Sequence, residues 1–269
     1  MGEKVRGNLV IIGGKEDKQG ECVILRKMVA LAGGAGARIV VMTTAAQDGE
    51  GTGNVYQDIF SRLGINRVEV VNVTARDMAD QERVADQLRE ATGIFFTGGD
   101  QLWITSTLGG TLLDNVLHER YEAGVVIAGT SAGASAMSGT MIVGGAGDEA
   151  PKRNTIQMVP GMGLLEEVVI DQHFAQRGRI GRLLSAVAQN PYILGVGIDE
   201  DTAVVVGPEG VFEVLGSQTV TIVDGKPLRH SNASESEPDQ PLALTYVTLH
   251  VLRSGYKFDL RGRKPIPKE

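Results

Sequence analysis

Ser131 stands in Gly129-Thr130-Ser131-Ala132-Gly133, a G-x-S-x-G arrangement that directly follows the apolar run Val125-Val126-Ile127. A serine on a sharp strand-to-helix turn presents its hydroxyl clear of the sheet, and the flanking glycines are needed where a side chain would collide with the turn. The chemistry this suggests is nucleophilic attack on a carbonyl carbon. A serine hydroxyl attacks only if a base takes its proton and a third group orients the base. Of the four histidines, His118 falls in the surface-like helical stretch NVLHERYEAG, His230 in a polar segment and His250 in a late strand. His173 closes the run VVIDQHF at 168–174, where an apolar strand gives way to polar residues. Strand ends in doubly wound sheets are where sites gather, so His173 is the candidate base. The carboxylate is expected from Asp199-Glu200-Asp201, at the close of ILGVGI. Spacing does not choose among these acids, which also read as a solvated turn or a cation site.

An acyl transfer needs donors for the developing oxyanion. The amide of Ala132, next after the serine, is the expected first donor. Gly98 and Gly99, in Phe96-Thr97-Gly98-Gly99-Asp100-Gln101, are the expected second source, since paired glycines at a strand end let bare N–H groups approach a substrate; Asp100 can cap the following helix.

These residues must be held by a regular frame. Apolar runs at 8–12, 39–43, 67–73, 94–97 and 125–128 predict strands, and amphipathic stretches near 21–33, 54–63, 77–91 and 111–123 predict helices between them. That alternation predicts an α/β fold with a doubly wound, mostly parallel sheet and helices on both faces. After about residue 190 the pattern changes to strand-like runs at 193–198, 203–206, 211–215, 219–223 and 243–252, joined by short turns. The expectation is one domain over 1–269, made of a βαβ core at 1–190 and an antiparallel β extension at 191–269. Within the extension, the polar, proline-containing segment 226–241 is expected to be an exposed loop.

With 42% hydrophobic and 22% charged residues, the composition is that of an ordinary globular protein. A formal charge of -7 without a long basic cluster argues against nucleic acid or an anionic membrane as partner. No apolar segment approaches the length of a bilayer span, and the first apolar run is cut after four residues by Gly13-Gly14. A lone cysteine, Cys22, excludes an intramolecular disulfide and fits helix packing in a reducing, cytoplasmic setting. Asn232-Ala233-Ser234 is a chance match to a glycosylation sequon. The late strands offer an edge for a homodimer. Gly145-Ala146-Gly147-Asp148-Glu149-Ala150 fits G-x-G-x-x-A after a strand-like run, but PKRNTIQMVPG beyond it makes no clean helix, so nucleotide binding is poorly supported.

Taken together, FTGGDQ at 96–101, AGTSAGAS at 128–135, DQHFAQRGRIGRL at 171–183 and GIDEDTA at 197–203 resemble the signature segments of the cyanophycinases, in the serine peptidase family that also contains dipeptidase E; IIGGKEDK at 11–18 is similar to the start of that family. The resemblance implies a triad of Ser131, His173 and Glu200 on a fold like the class I glutamine amidotransferase domain. It implies no metal and no cofactor. As substrate it implies cyanophycin, a polyaspartate carrying arginine on its β-carboxyls, cut to β-Asp-Arg dipeptides from a chain end; an aspartyl dipeptidase of the dipeptidase E type is the alternative. In that setting Arg177, Arg179 and Arg182 would offer forked donors to carboxylates, while Asp171, Gln172 and Gln101 would receive a guanidinium or orient the backbone.

Overall fold

The computed structural model describes residues 7–145, 150–153, 156–237 and 239–267. The chain runs through β1 (Leu9–Ile12), α1 (Val23–Leu31), β2 (Arg38–Met42), α2 (Gly49–Arg62), β3 (Arg67–Val71), α3 (Arg76–Ala79), α4 (Glu82–Glu90), β4 (Gly93–Phe96), α5 (Gln101–Leu108), α6 (Leu112–Glu122) and β5 (Val126–Thr130). These five strands lie parallel in the order β3-β2-β4-β5-β1. Parallel strands need crossovers that cover both faces, and their side chains alternate accordingly. Leu9, Ile11, Val40, Met42, Ile94, Phe96 and Ile127 pack with α4, α5 and α6 on one face, and Val10, Ile12, Val41, Phe95 and Ala128 pack with α1 and α2 on the other.

Beyond β5 come α7 (Ala132–Ser135), a hairpin of β6 (Thr140–Gly144) and β7 (Gln157–Pro160), then β8 (Val168–Gln172), α8 (Ile180–Gln189) and β9 (Leu194–Ile198). The remaining strands are β10 (Thr202–Val206), β11 (Val211–Gly216), β12 (Thr219–Asp224), β13 (His230–Ser231), β14 (Leu244–Thr245), β15 (Thr248–Arg253), β16 (Lys257–Asp259) and β17 (Lys264–Ile266). The large sheet continues past β1 with β10, β11, β16 and β17, all antiparallel. A second sheet, in the order β15-β12-β9-β8, shares the core of the first through Ile170, Val196, Ile198, Val220 and Ile222, and carries α8 on its other side.

Several expectations change here. The segment 193–198 was expected to open an antiparallel appendage, yet β9 pairs parallel with β8, Ile170 opposite Val196, because α8 is a crossover helix between them. The late strands are split between two sheets and are not gathered in one appendage. The run 243–252 is broken at Tyr246, whose φ is 63°, and the helix expected over 77–91 divides where Asp80 turns aside to receive the Leu112 amide. Segment 226–241 is not wholly an exposed loop: β13 pairs with β14, Ser236 is buried, and the Asn232 side chain receives the Ala243 amide. Of the G-x-G-x-x-A motif, residues 146–149 lie outside the described residues.

Phe95 is fully buried against Tyr56 and Phe60, with ring centroids 4.6 and 5.6 Å away. Phe95→Ala is expected to cost about 3–5 kcal/mol, read as a lower urea midpoint at unchanged slope; an unchanged midpoint would contradict this account of the core.

Candidate active site

The site lies where the carboxyl ends of β1, β5, β8 and β9 meet. β5 ends at Thr130, and the chain turns into α7 through Ser131 at φ 52° and ψ −110°, a strained backbone for a residue with a side chain. The turn is possible because Gly133 packs directly on β4: a methyl group there would lie 2.5 Å from the Phe96 carbonyl oxygen. The Ser131 amide donates to the Ile12 carbonyl at 3.0 Å, fixing the elbow to the end of β1. His173 follows β8 at φ 48°, and its amide donates to the Gly13 carbonyl at 2.8 Å. Gly14 lies against the imidazole, where a methyl group would stand 2.3 Å from the ring's Cε1.

The three side chains expected from the sequence meet in one hydrogen-bonded chain. Ser131 Oγ is 3.0 Å from His173 Nε2, and His173 Nδ1 is 2.7 Å from Glu200 Oε1. With the proton on Nδ1 donated to Glu200, Nε2 presents a lone pair to the hydroxyl, the arrangement a general base requires. The neighbouring acids are occupied elsewhere. Asp199 is buried and receives the amides of Ala175 and Thr219 and the Thr219 hydroxyl, while Asp201 receives the Asp17 amide.

Burial lowers the pKa of His173 below the ordinary histidine value. The Glu200 hydrogen bond opposes that shift, and the charges of Arg177 and Arg179 add to it. For Glu200 burial acts upward, but Lys15, whose Nζ is 3.0 Å from Oε1, and His173 outweigh it and hold the carboxyl below its usual value. The imidazole is therefore neutral, and the carboxylate charged, at neutral pH.

Around this line the expected binding residues separate into two groups. Gly98 adjoins the serine, since a methyl group there would lie 3.4 Å from Ser131 Cβ, and Gly99 follows it at φ 145° against the Ala45 carbonyl. Ala132 is the first residue of α7, and the opening amides of a helix have no partner within it. Gln172 Oε1 is 3.4 Å from Ser131 Oγ, Gln101 donates to the Ile142 carbonyl at 2.7 Å, and Arg177 is exposed.

Asp171, Arg179 and Arg182 behave differently. Asp171 is 0% exposed; Arg182 Nε donates to its Oδ2 at 2.7 Å and Arg182 Nη2 to its Oδ1, which also receives Arg179 Nη1 at 3.2 Å. The guanidiniums facing Asp171 are thus the protein's own, which corrects the expectation that it receives one from a substrate. Arg179 also donates to the Gln172 carbonyl and Arg182 to the Gly145 carbonyl, so the buried cluster ties β8 to α8 and to the β6–β7 hairpin. Burial lowers Arg179 to about 10 against the pull of Asp171, which leaves it charged at neutral pH.

The sequence assigns no chemical role to Gly14, Lys15 or Glu16, within the segment IIGGKEDK. The available signal was a glycine pair at the end of the first strand, the same feature used at 98–99. Asp17 folds this segment back by receiving the amides of Gly20, Cys22 and Gln19, which lower its carboxyl pKa to about 2.

A hydroxyl, an imidazole and a carboxylate aligned at the strand ends of an α/β sheet form the machinery of a serine hydrolase. The model of peptidase family S51 matches residues 9–214, and the chain belongs to that family. It is 39% identical over 260 residues to a cyanophycinase of Trichormus variabilis, covering 96% of this chain and 87% of the relative. It is 38% identical over 267 residues to a cyanophycinase of Geminocystis herdmanii, covering 99% and 98%. Among solved structures, a peptidase from an acI-B1 Actinobacterium superposes with a TM-score of 0.70 at 22% identity, covering 96% of this chain and 98% of that one, a likeness of fold.

Because the base must be neutral and its pKa is lowered, the acidic limb of kcat/KM is expected below pH 6.5. Arg177→Gln removes one of the charges that lower it and is expected to move that limb to higher pH. A limb that stays in place or moves down would show that Arg177 does not act on the imidazole.

Proposed function

We propose that this chain is a cyanophycinase: it hydrolyses the polyaspartate backbone of cyanophycin through an acyl-enzyme on Ser131 and releases β-Asp-Arg dipeptides. The observation that carries this reading is the unbroken line Ser131–His173–Glu200 in a chain that aligns almost end to end with curated cyanophycinases.

In the reaction, Ser131 Oγ bonds to the scissile carbonyl carbon as its proton passes to His173 Nε2. The carbonyl electrons move onto oxygen, where the amides of Ala132 and of Gly98 or Gly99 stabilise the charge. The C–N bond then breaks, with the imidazolium giving its proton to the departing amine. A water molecule, deprotonated by the same nitrogen, attacks the ester carbon and restores the serine. Glu200 holds the ring and stabilises its charged form. In this reading Gln101, Gln172 and exposed Arg177 meet the polymer's amide, guanidinium and carboxylate groups. Asp171, Arg179 and Arg182 hold the Gln172 backbone in place.

The same reading takes residues 1–269 as one peptidase unit, with the five parallel strands as a core of the class I glutamine amidotransferase type. Among the described residues no helix is long and apolar enough to cross a membrane. A cytoplasmic homodimer completes the proposal. Its support is the lone cysteine and the free edge of β15, where Leu249 and Val251 stand 52% and 57% exposed.

Ser131→Ala is expected to lower dipeptide release from cyanophycin by at least about 10³-fold with folding unchanged, followed by mass analysis of the products. Undiminished release would refute the nucleophile. Faster turnover of α-aspartyl dipeptides than of the polymer would favour an aspartyl dipeptidase.

A further inference from the structure

The buried charges of this protein mostly explain themselves: Asp171 joins two arginines, Asp199 ties two loops, and Asp224 holds Arg263. Glu16 stands apart. Its side chain is 0% exposed and its partners are the residue before Ser131 and a helix on the far side of the loop. Oε2 receives the Thr130 hydroxyl at 2.6 Å, and Oε1 receives the Tyr56 hydroxyl at 2.5 Å, with Lys18 Nζ 3.2 Å away. Burial, and then the carboxylate itself, pushes the Tyr56 phenol well above its ordinary pKa, so it stays protonated and donates. Lys18 lies over the Tyr56 ring at 5.4 Å, closing the group toward solvent.

A carboxylate removed from water is costly unless every lone pair is used, so its position is fixed by these partners. The loop it anchors is the one whose carbonyl at Gly13 receives the His173 amide, whose Gly14 backs the imidazole and whose Lys15 meets Glu200. We propose that Glu16 is a positioning residue of the hydrolytic site: by bonding Thr130 at the end of β5, it locks the loop 13–18 against the nucleophile's strand and so fixes the separation of Ser131 and His173. A displacement of about 1 Å between reacting groups can cost as much as 100-fold in rate, while none of the side chains assigned to the polymer lies in this loop.

The proposal rests on the hydrolase reading above, and its test keeps the two apart. Thr130→Val removes the hydroxyl donor at nearly constant shape, Thr130→Ser keeps it, and Glu16→Gln removes the charge. Each is measured for kcat and KM on cyanophycin, for melting temperature, and for the rate at which a fluorophosphonate labels Ser131. Thr130→Val and Glu16→Gln are expected to lower kcat and the labelling rate about tenfold or more, with KM within about twofold. Thr130→Ser is expected to stay near the parent, and the double variant Glu16→Gln/Thr130→Val to lose no more than the worse single one. If Thr130→Val reacts at the parent rate, the proposal is overturned. The Thr130 pair decides the matter even if Glu16→Gln does not fold. Labelling needs no polymer, so a wrong substrate assignment would leave this test intact, whereas a Ser131→Ala protein that still cleaves would sink the hydrolase reading itself.

Discussion

Three consecutive carbonyl oxygens at the end of β1 organise the site. Ile12 receives the amide of Ser131, Gly13 that of His173 and Gly14 that of Asp201, at 3.0, 2.8 and 2.8 Å. The nucleophile, the base and the residue beside the acid come from positions far apart in the chain, so nothing local could set their spacing. A single short segment bonded to all three as a template sets it, running from the end of β1 into the turn at Gly14, whose φ is 102°. β1 is itself held between β5 and β10, and the Gly13 amide donates to the Thr202 carbonyl at 2.9 Å, so the template cannot shift without breaking both ladders.

The backbone around this template is held away from its comfortable conformations. Lys15, Ser131, His173 and Asp201 all have positive φ, between 46° and 52°. Each such residue costs on the order of 1–3 kcal/mol and persists only where its surroundings leave no alternative. Here the surroundings are hydrogen bonds to the template and glycines that let main chains approach. Gly14 shows why a side chain is excluded: any β-carbon would occupy the imidazole's place. Strain at the elbow and at the histidine has a common consequence, which is to turn two side chains out of their strands and toward each other.

This division explains what was legible in the sequence. The parallel strands were readable because burial on both faces gives unbroken apolar runs, and the elbow was readable because its glycines have a steric cause that leaves few alternatives. His173 could be preferred over the other histidines because it ends a strand at the sheet edge where the loops converge. The arginines misled because charge on a sequence carries no information about what faces it; two of them turned inward to a buried aspartate. Glu16 was invisible for the same reason, since a carboxylate within a polar loop reads as solvated until Thr130 and Tyr56 are known to surround it. The change of pairing at β9 was missed because alternation in a short apolar run does not distinguish a parallel neighbour from an antiparallel one.

The choice of Glu200 within three adjacent acids also follows from the frame and not from the acids themselves. Asp199 is the residue after β9, points into the protein and is used up by Ala175 and Thr219. Asp201 takes the left-handed turn that starts β10, with its amide on Gly14 and its carboxylate on Asp17. The middle position is left to meet both the imidazole and Lys15, with its side chain 19% exposed. Partial exposure suits a group that must stay charged beside a ring that gains and loses a proton. A fully buried carboxylate would tend toward its neutral form and lose its hold on Nδ1, while a fully solvated one would attract the imidazolium weakly. Burial of the imidazole, helped by the charges of Arg177 and Arg179, works in the opposite sense and keeps the resting ring neutral, so the carboxylate's pull is felt most once the proton has arrived from Ser131.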